Sequence, residues 1–297
     1  SATRTGASPA VIDPSLPGIF ISGDTGRLVR ALRAAAPGPI DGWDVPDLDL
    51  DEPETCSTLV HEKRPRLVIH TAAMTAVDQA ALEPGVALRR NGEAVGALAR
   101  ACREVGSGLL LVSTNEVFSG DRTDSRPYVE DDEAGPRNPY GRSKHVGELA
   151  ALEAFDGAEG LWIARTAWLY GPPGNDFPDK ITAAADRVEG PLPVVTDEVG
   201  CPTYTPDLAR AIFELVARTD GGVFHLVNAG SASRYEWAAA VLAIRRPGRV
   251  LRPIGMAEFQ RSSEPPPWGV LDTSKAKAAG VELRPWQDAL TEYLHDG

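Results

Sequence analysis

The chain has 297 residues, a net charge of −12, a pI near 4.9, 42% hydrophobic and 24% charged residues; this suits a folded globular protein and excludes a nucleic-acid backbone as its natural partner. Cys56, Cys102 and Cys201 are too few and too scattered for a disulfide framework or a Cys-x-x-Cys zinc or redox site. No apolar run approaches the roughly 18 residues that span a bilayer, and the first residues do not read as a signal peptide, so a reduced, cytoplasmic protein with no membrane segment and no metal is expected.

Residues 1–17 are rich in Ala, Ser, Thr and Pro without any period and read as a loose tail. Gly18 to Ser22 is a short apolar strand ending in a glycine turn. A helix from Arg27 to Ala36 follows and stops at Pro37-Gly38. Further strands are expected at Pro39–Asp44, Leu67–His70, Gly108–Ser113, Leu161–Ala164 and Val223–Leu226, with helical stretches at 54–63 and 92–105 between them. Continuous apolar strands alternating with helices imply an α/β, Rossmann-like, doubly wound parallel sheet covered on both faces. The expected division is a dinucleotide-binding domain over 18–170, joined by a returning strand near 222–228, and a smaller C-terminal substrate-binding lobe over 171–297. There Pro253, Pro265, Pro266 and Pro267 interrupt regular structure.

Gly23-Asp24-Thr25-Gly26, continuing into Arg27 and Leu28, sits between the first strand and the first helix. A pyrophosphate would meet the helix N-terminus there, and glycine lets the backbone approach it. On its own this G-x-x-G also fits a plain strand–helix turn. Asp44, about twenty residues on, ends the second strand as an acceptor for a ribose 2′-hydroxyl should; its charge opposes a 2′-phosphate and leans towards NAD(H). Tyr140-Gly141-Arg142-Ser143-Lys144 puts a phenol and an ammonium one helical turn apart on one face. The ammonium should lower the phenol's pKa and ready it to pass a proton to a carbonyl oxygen; the alternative is a surface pair. Pro139 suits a first helical turn. Ser113 and Thr114 end a buried strand, where α/β sheets place ligands, and Thr114 is the second donor to that carbonyl.

With G-D-T-G (23–26), the motifs R-P-R-L-V-I-H-T-A-A-M-T-A-V-D (64–78), S-T-N-E-V-F (113–118), N-P-Y-G-R-S-K (138–144), R-T-A-W-L-Y-G (165–171), V-V-T-D-E-V-G-C-P-T (194–203) and L-D-T-S-K (271–275) resemble the dTDP-4-dehydrorhamnose reductase branch of the extended short-chain dehydrogenase/reductases. The resemblance runs from about Gly18 to Leu290. It implies reduction of a 4-keto group on a nucleotide-activated deoxysugar by NAD(P)H, a nucleotide-sugar partner and a homodimer. By position, Tyr140, Lys144 and Thr114 resemble the catalytic set, with Tyr140, Lys144 and Ser113 also beside the cofactor. Ala72, Ala73 and Met74 resemble the loop along the dinucleotide, Asp49 and Leu50 the adenine contacts, and Asn91 a helix residue near the active site counted with the cofactor set. Val77, Thr114, Asn115, Glu116, Trp168 and Asn175 fall where the family meets its substrate.

Three departures stand out. Thr114-Asn115-Glu116 replaces the family's Thr-Asp-Tyr and resembles the Thr-Asp-Glu of nucleotide-sugar dehydratases. Asn115 lacks the acid a departing hydroxyl needs, which ranks dehydration below reduction, while Glu116 leaves epimerisation open. Pro265-Pro266-Pro267-Trp268-Gly269 replaces a motif with a basic substrate anchor, which is lost or moved to Arg261. Val29 stands where a third glycine is usual and should push the first helix outward or alter cofactor affinity. A non-catalytic nucleotide-binding regulatory subunit is the reading from another class.

Overall fold

The computed structural model of the chain describes residues 11–23 and 25–296. Asp24 of the glycine turn lies outside the described residues.

Strands and helices alternate as the apolar pattern requires: β1 (Ile19–Ser22), α1 (Arg27–Ala35), β2 (Ile40–Trp43), α2 (Pro53–Lys63), β3 (Leu67–His70), α3 (Val77–Leu82) and α4 (Pro84–Leu88). A π-helical turn, Arg89–Glu93, leads into α5 (Ala94–Val105), and then come β4 (Gly108–Thr114), α6 (Pro139–Phe155) and β5 (Leu161–Thr166). The chain leaves the sheet through β6 (Leu169–Tyr170), α7 (Phe177–Arg187), β7 (Leu192–Val195), β8 (Val199–Gly200) and β9 (Thr203–Tyr204). It returns through α8 (Thr205–Arg218) and β10 (Gly222–His225), and ends with β11 (Ala232–Ser233), α9 (Arg234–Arg245), β12 (Leu251–Ile254), α10 (Ser274–Ala278) and α11 (Trp286–Asp296).

The main sheet has six parallel strands in the order β10-β5-β4-β3-β1-β2. Side chains alternate across it. Ile19, Ile21, Leu67, Ile69 and Leu110 face a core shared with α1 and α8, while Val68, Leu109, Leu111 and Ile163 face α2, α5 and α6. The order reverses between β1 and β3, and such a switch point opens a crevice at the strands' C-terminal ends. The doubly wound expectation is borne out.

Within the expected tail, Ile12 is fully buried. Its N–H donates to the Val216 carbonyl at 3.0 Å, and its side chain occupies space beside Gly108 that a Cβ there would claim. That burial draws its energy from removing an isoleucine from water, about 1.5–3 kcal/mol, so the chain is anchored before Gly18. Val29 is likewise fully buried between α1 and the sheet, where it fills the core rather than standing proud of it.

The C-terminal half is not one continuous lobe. α8 packs on α1, and β10 completes the sheet. The lobe proper has its own core, in which Tyr170, Trp237, Leu290 and Tyr293 pack among α7, α9 and α11. Its strands pair in short ladders, β6 with β9, β8 with β11 and β7 with β12.

Candidate active site

A cleft of about 790 Å³ lies between the strand ends and the lobe. At one end the backbone makes a cradle. Gly23 has φ +82°, a region open to glycine, and a Cβ there would press on Ala72 at 3.1–3.2 Å. Its N–H donates to the Trp43 carbonyl at 2.8 Å, and Gly26 N–H turns back to the Gly23 carbonyl at 3.1 Å, so the N-terminus of α1 opens on the cleft. Thr25, Gly26, Arg27 and Leu28 line it there, with Asp44, Asp49 and Leu50 opposite and Ala72, Ala73 and Met74 along the side. This backbone cradle leaves room for the phosphates of a dinucleotide.

Two residues expected at the cofactor also make bonds that tie parts of the fold together. Asn91 is buried and does not line the cleft. Its Oδ1 accepts from Met74 N–H at 2.8 Å, and its Nδ2 donates to the Met74 carbonyl and to Ser143 Oγ, both at 3.0 Å, so it ties the 72–74 loop to α6. Arg27 lines the cleft, but its guanidinium is taken up by the lobe. It donates to the carbonyls of Gly171 (2.9 Å) and Gly174 (2.8 Å) and to Asp176 Oδ2 (2.8 Å). Asp44 stands where expected and accepts from Val45 N–H at 2.9 Å and from Thr25 Oγ1 at 3.5 Å.

The expected catalytic pair, Tyr140 and Lys144, rides on α6. Asn138 caps that helix by accepting from Gly141 N–H at 2.8 Å, and Pro139 fills the first turn, where a missing N–H costs nothing. Tyr140 and Lys144 therefore share a face, and both line the cleft with Ser113 and Thr114. Lys144 Nζ donates to the Val112 carbonyl at 2.7 Å. Burial lowers its pKa to about 8, against a partial lift from Glu148 one turn further on. Tyr140 departs from expectation. Burial, then the charge of Glu116, push its pKa up, and a hydrogen bond with Thr114 only partly offsets them. The phenol thus keeps its proton, which suits a donor better than a ready-made base. Thr114 Oγ1 accepts from Glu116 N–H at 3.2 Å, which fixes the hydroxyl at the strand end.

Val77, Asn115, Glu116, Trp168 and Asn175, expected at the substrate, all line the cleft. Asn115 Nδ2 donates to the Gly269 carbonyl at 3.2 Å and so carries a structural bond to the loop that departs from the family pattern. The Trp168 indole stacks on Trp237, with centroids 5.6 Å apart, and the Arg234 guanidinium lies over its ring at 3.6 Å. Arg261, expected to be the displaced anchor, does not line the cleft; it donates to Glu198 Oε2 at 2.9 Å. The cations that do face this half are Arg234, which also holds Glu198 Oε1, and Lys180 on α7, which has no partner among the described residues. Neither was singled out from the sequence. Arg234 opens a helix behind a Ser233/Glu236 capping box, a pattern that announces a helix start and not a ligand.

The model of the RmlD substrate binding domain matches residues 18–297. The chain belongs to that family. A dTDP-4-dehydrorhamnose reductase of Streptomyces griseus is 42% identical over 257 residues, covering 82% of this chain and 81% of the relative. A dTDP-4-keto-6-deoxy-D-glucose reductase of Streptomyces niveus is 35% identical and covers 92% of this chain and 95% of its own. The crystal structure of the Bacillus anthracis dTDP-4-dehydrorhamnose reductase in complex with NADP superposes with a TM-score of 0.85 at 30% identity, over 94% of this chain and 99% of that one. Within the matched residues, the Gly23/Gly26 turn, the 71–74 loop and the helix of Tyr140 and Lys144 converge on one cleft. No helix among the described residues is long and apolar enough to cross a membrane.

Lys144 carries a pH prediction. Its ammonium is present below its pKa of about 8 and is lost above it. Dinucleotide affinity in the ligand-free protein should therefore weaken as pH rises through about 8. Lys144→Met should bind weakly at every pH. Fluorescence titrations across that window test both, and a flat profile in the unsubstituted protein would refute the assigned role.

Proposed function

We propose that this protein reduces the 4-keto group of a dTDP-activated 6-deoxysugar, using NAD(P)H. The observation that carries the reading is the Tyr140 phenol beside the strand-end hydroxyl of Thr114, in the same cleft as the turn at Gly23 and Gly26, whose backbone leaves room for a pyrophosphate. A reduced nicotinamide, when bound, supplies the hydride. The chain's own residues do the rest. Gly23, Gly26 and the N-terminus of α1 would receive the pyrophosphate, and Lys144 would hold the nicotinamide ribose. Thr114 and Tyr140 would donate to the sugar's carbonyl oxygen, stabilising the negative charge that develops there, and Tyr140 gives up its proton. Trp168, Phe177, Lys180 and Arg234 line the side from which the nucleotide sugar would come. In a chain of net charge −12 these two cations supply the local attraction that a diphosphate needs.

Asp44 argued for NADH, whereas the Bacillus anthracis relative holds NADP. The relative's cofactor is the stronger guide, and NADPH is the dinucleotide proposed. Mixing the purified protein with NADPH and a dTDP-4-keto-6-deoxysugar should consume the reduced dinucleotide's absorbance with formation of the 4-hydroxy product. Tight binding without turnover across several 4-keto sugars would instead favour a regulatory subunit.

A cytoplasmic location and a homodimer complete the proposal. Val146, Leu149 and Leu152 are 39%, 51% and 43% exposed on successive turns of α6, a face that self-association would cover. Sedimentation should give twice the chain mass, and Leu149→Glu should return it to the monomer.

A further inference from the structure

We infer that Glu116 is a second acid–base group of the cleft, which exchanges a proton at the carbon beside the sugar's keto group independently of reduction. The inference rests on the proposed binding of a 4-keto sugar.

The placement of Glu116 is tightly specified. It lies in a short 3₁₀ turn, Asn115–Val117, two residues after Thr114, and it lines the cleft. Its Oε2 accepts from Asn138 Nδ2 at 2.6 Å, and the same Asn138 caps the helix that carries Tyr140. Gly141 is seated so closely on this turn that a Cβ there would overlap the Glu116 carbonyl oxygen. The carboxyl is therefore fixed relative to both proton donors. Its Oε1 has no hydrogen-bond partner among the described residues.

Behind it, the buried Glu198 is neutralised by Arg234 at 2.8 Å and Arg261 at 2.9 Å. Burial raises the Glu116 pKa and the Asn138 amide pulls it down; Glu198 adds to the rise, Arg234 and Arg261 oppose it, and burial prevails. A carboxylate whose pKa is raised towards working pH is a stronger base once ionised.

The chemistry follows from the carbonyl. Donors that stabilise an alkoxide oxygen stabilise an enolate oxygen equally well. Glu116 takes the proton from the adjacent carbon, and the C–H pair becomes a C=C bond. The former C=O pair moves to the oxygen held by Thr114 and Tyr140. The reverse step returns a proton from the carboxylic acid to that carbon. Nothing is oxidised or reduced. In D₂O the acid proton exchanges with solvent at the cleft, so carbon gains deuterium. One carboxyl returns the deuteron to the face it came from, so exchange without inversion is expected.

The test incubates the whole protein with a dTDP-4-keto-6-deoxysugar in D₂O without dinucleotide, traps the ketone with borohydride and reads the mass after return to H₂O. NADPH consumption is measured in parallel. The unsubstituted protein should label the sugar well above a protein-free control. Glu116→Gln should cut labelling by about 10²–10⁴, the usual worth of a positioned base, and by far more than it cuts reduction. Glu116→Asp should recover part of the labelling. Normal NADPH consumption with labelling at the control level would overturn the inference. So would loss of labelling and reduction by the same factor in Glu116→Gln, which marks a carboxylate that only binds a sugar hydroxyl. If the sugar is neither reduced nor labelled, the proposed function itself fails and the inference falls with it.

Discussion

Tyr140→Phe is expected to lower kcat by about 10²–10⁴, the range for removing a positioned proton donor. The substitution takes away one oxygen and leaves the ring's volume. The ring stays on a helix held by the Asn138 cap, and Ser143 Oγ still donates to the residue-140 carbonyl at 2.8 Å. Lys144 keeps its bond to Val112, so dinucleotide binding should survive. What is lost is specific to the transition state, where the developing oxyanion retains only Thr114. The signature is a fall in kcat with a nearly unchanged cofactor Kd, read by steady-state kinetics and calorimetry. Full turnover in the phenylalanine variant would remove the catalytic assignment.

Arg165→Met is expected to destabilise the fold by about 3–5 kcal/mol, because it strands a buried carboxylate. Arg165 lies in β5 and forks onto Glu148 of α6 with bonds of 3.0 and 2.8 Å, and both side chains are almost fully buried. It also donates to the Glu130 carbonyl at 3.2 Å. Burial alone would raise the Glu148 pKa; His145 and Arg165 overcome it and hold it at about 2, against an ordinary 4.5. A carboxylate depressed in the folded state contributes stability that is fully present above its unfolded pKa. That contribution should fade as pH falls from about 4.5 to about 2. The methionine variant should lose this acid limb along with its stability, and Arg165→Met/Glu148→Leu should recover much of the loss. Urea midpoints at neutral and acid pH test the set. A double variant no more stable than the single one would show that the strand–helix ion pair is not the cause.

What could be read from the sequence follows from what is local. The sheet strands are continuous apolar runs, so β1, β3, β4 and β5 lie close to their expected bounds. The turn at Gly23 and the Tyr140/Lys144 spacing are short-range facts of the backbone. The lobe escaped because its strands β6, β8, β9 and β11 have two residues each, too few to show a period. Arg27 was assigned to the cofactor on position alone, since its bond to Asp176 joins residues 149 apart in sequence. Arg234 was missed for the same reason: Trp168 lies far from it in sequence and only the fold brings the two together. The direction of the Tyr140 shift was also hidden. Spacing reveals a nearby ammonium but not the burial and the Glu116 charge that raise the phenol's pKa.

The central claim, hydride delivery to a sugar carbonyl in the Tyr140 cleft, meets its most direct test in isotope transfer. NADPH carrying deuterium at the transferable position of the nicotinamide is turned over with a dTDP-4-keto-6-deoxysugar, and the product is read by NMR. One deuterium at C4 of the sugar, in a single stereochemical orientation, is the expected result. A product with hydrogen at C4, or a sugar recovered unreduced while the label stays on the dinucleotide, would contradict it.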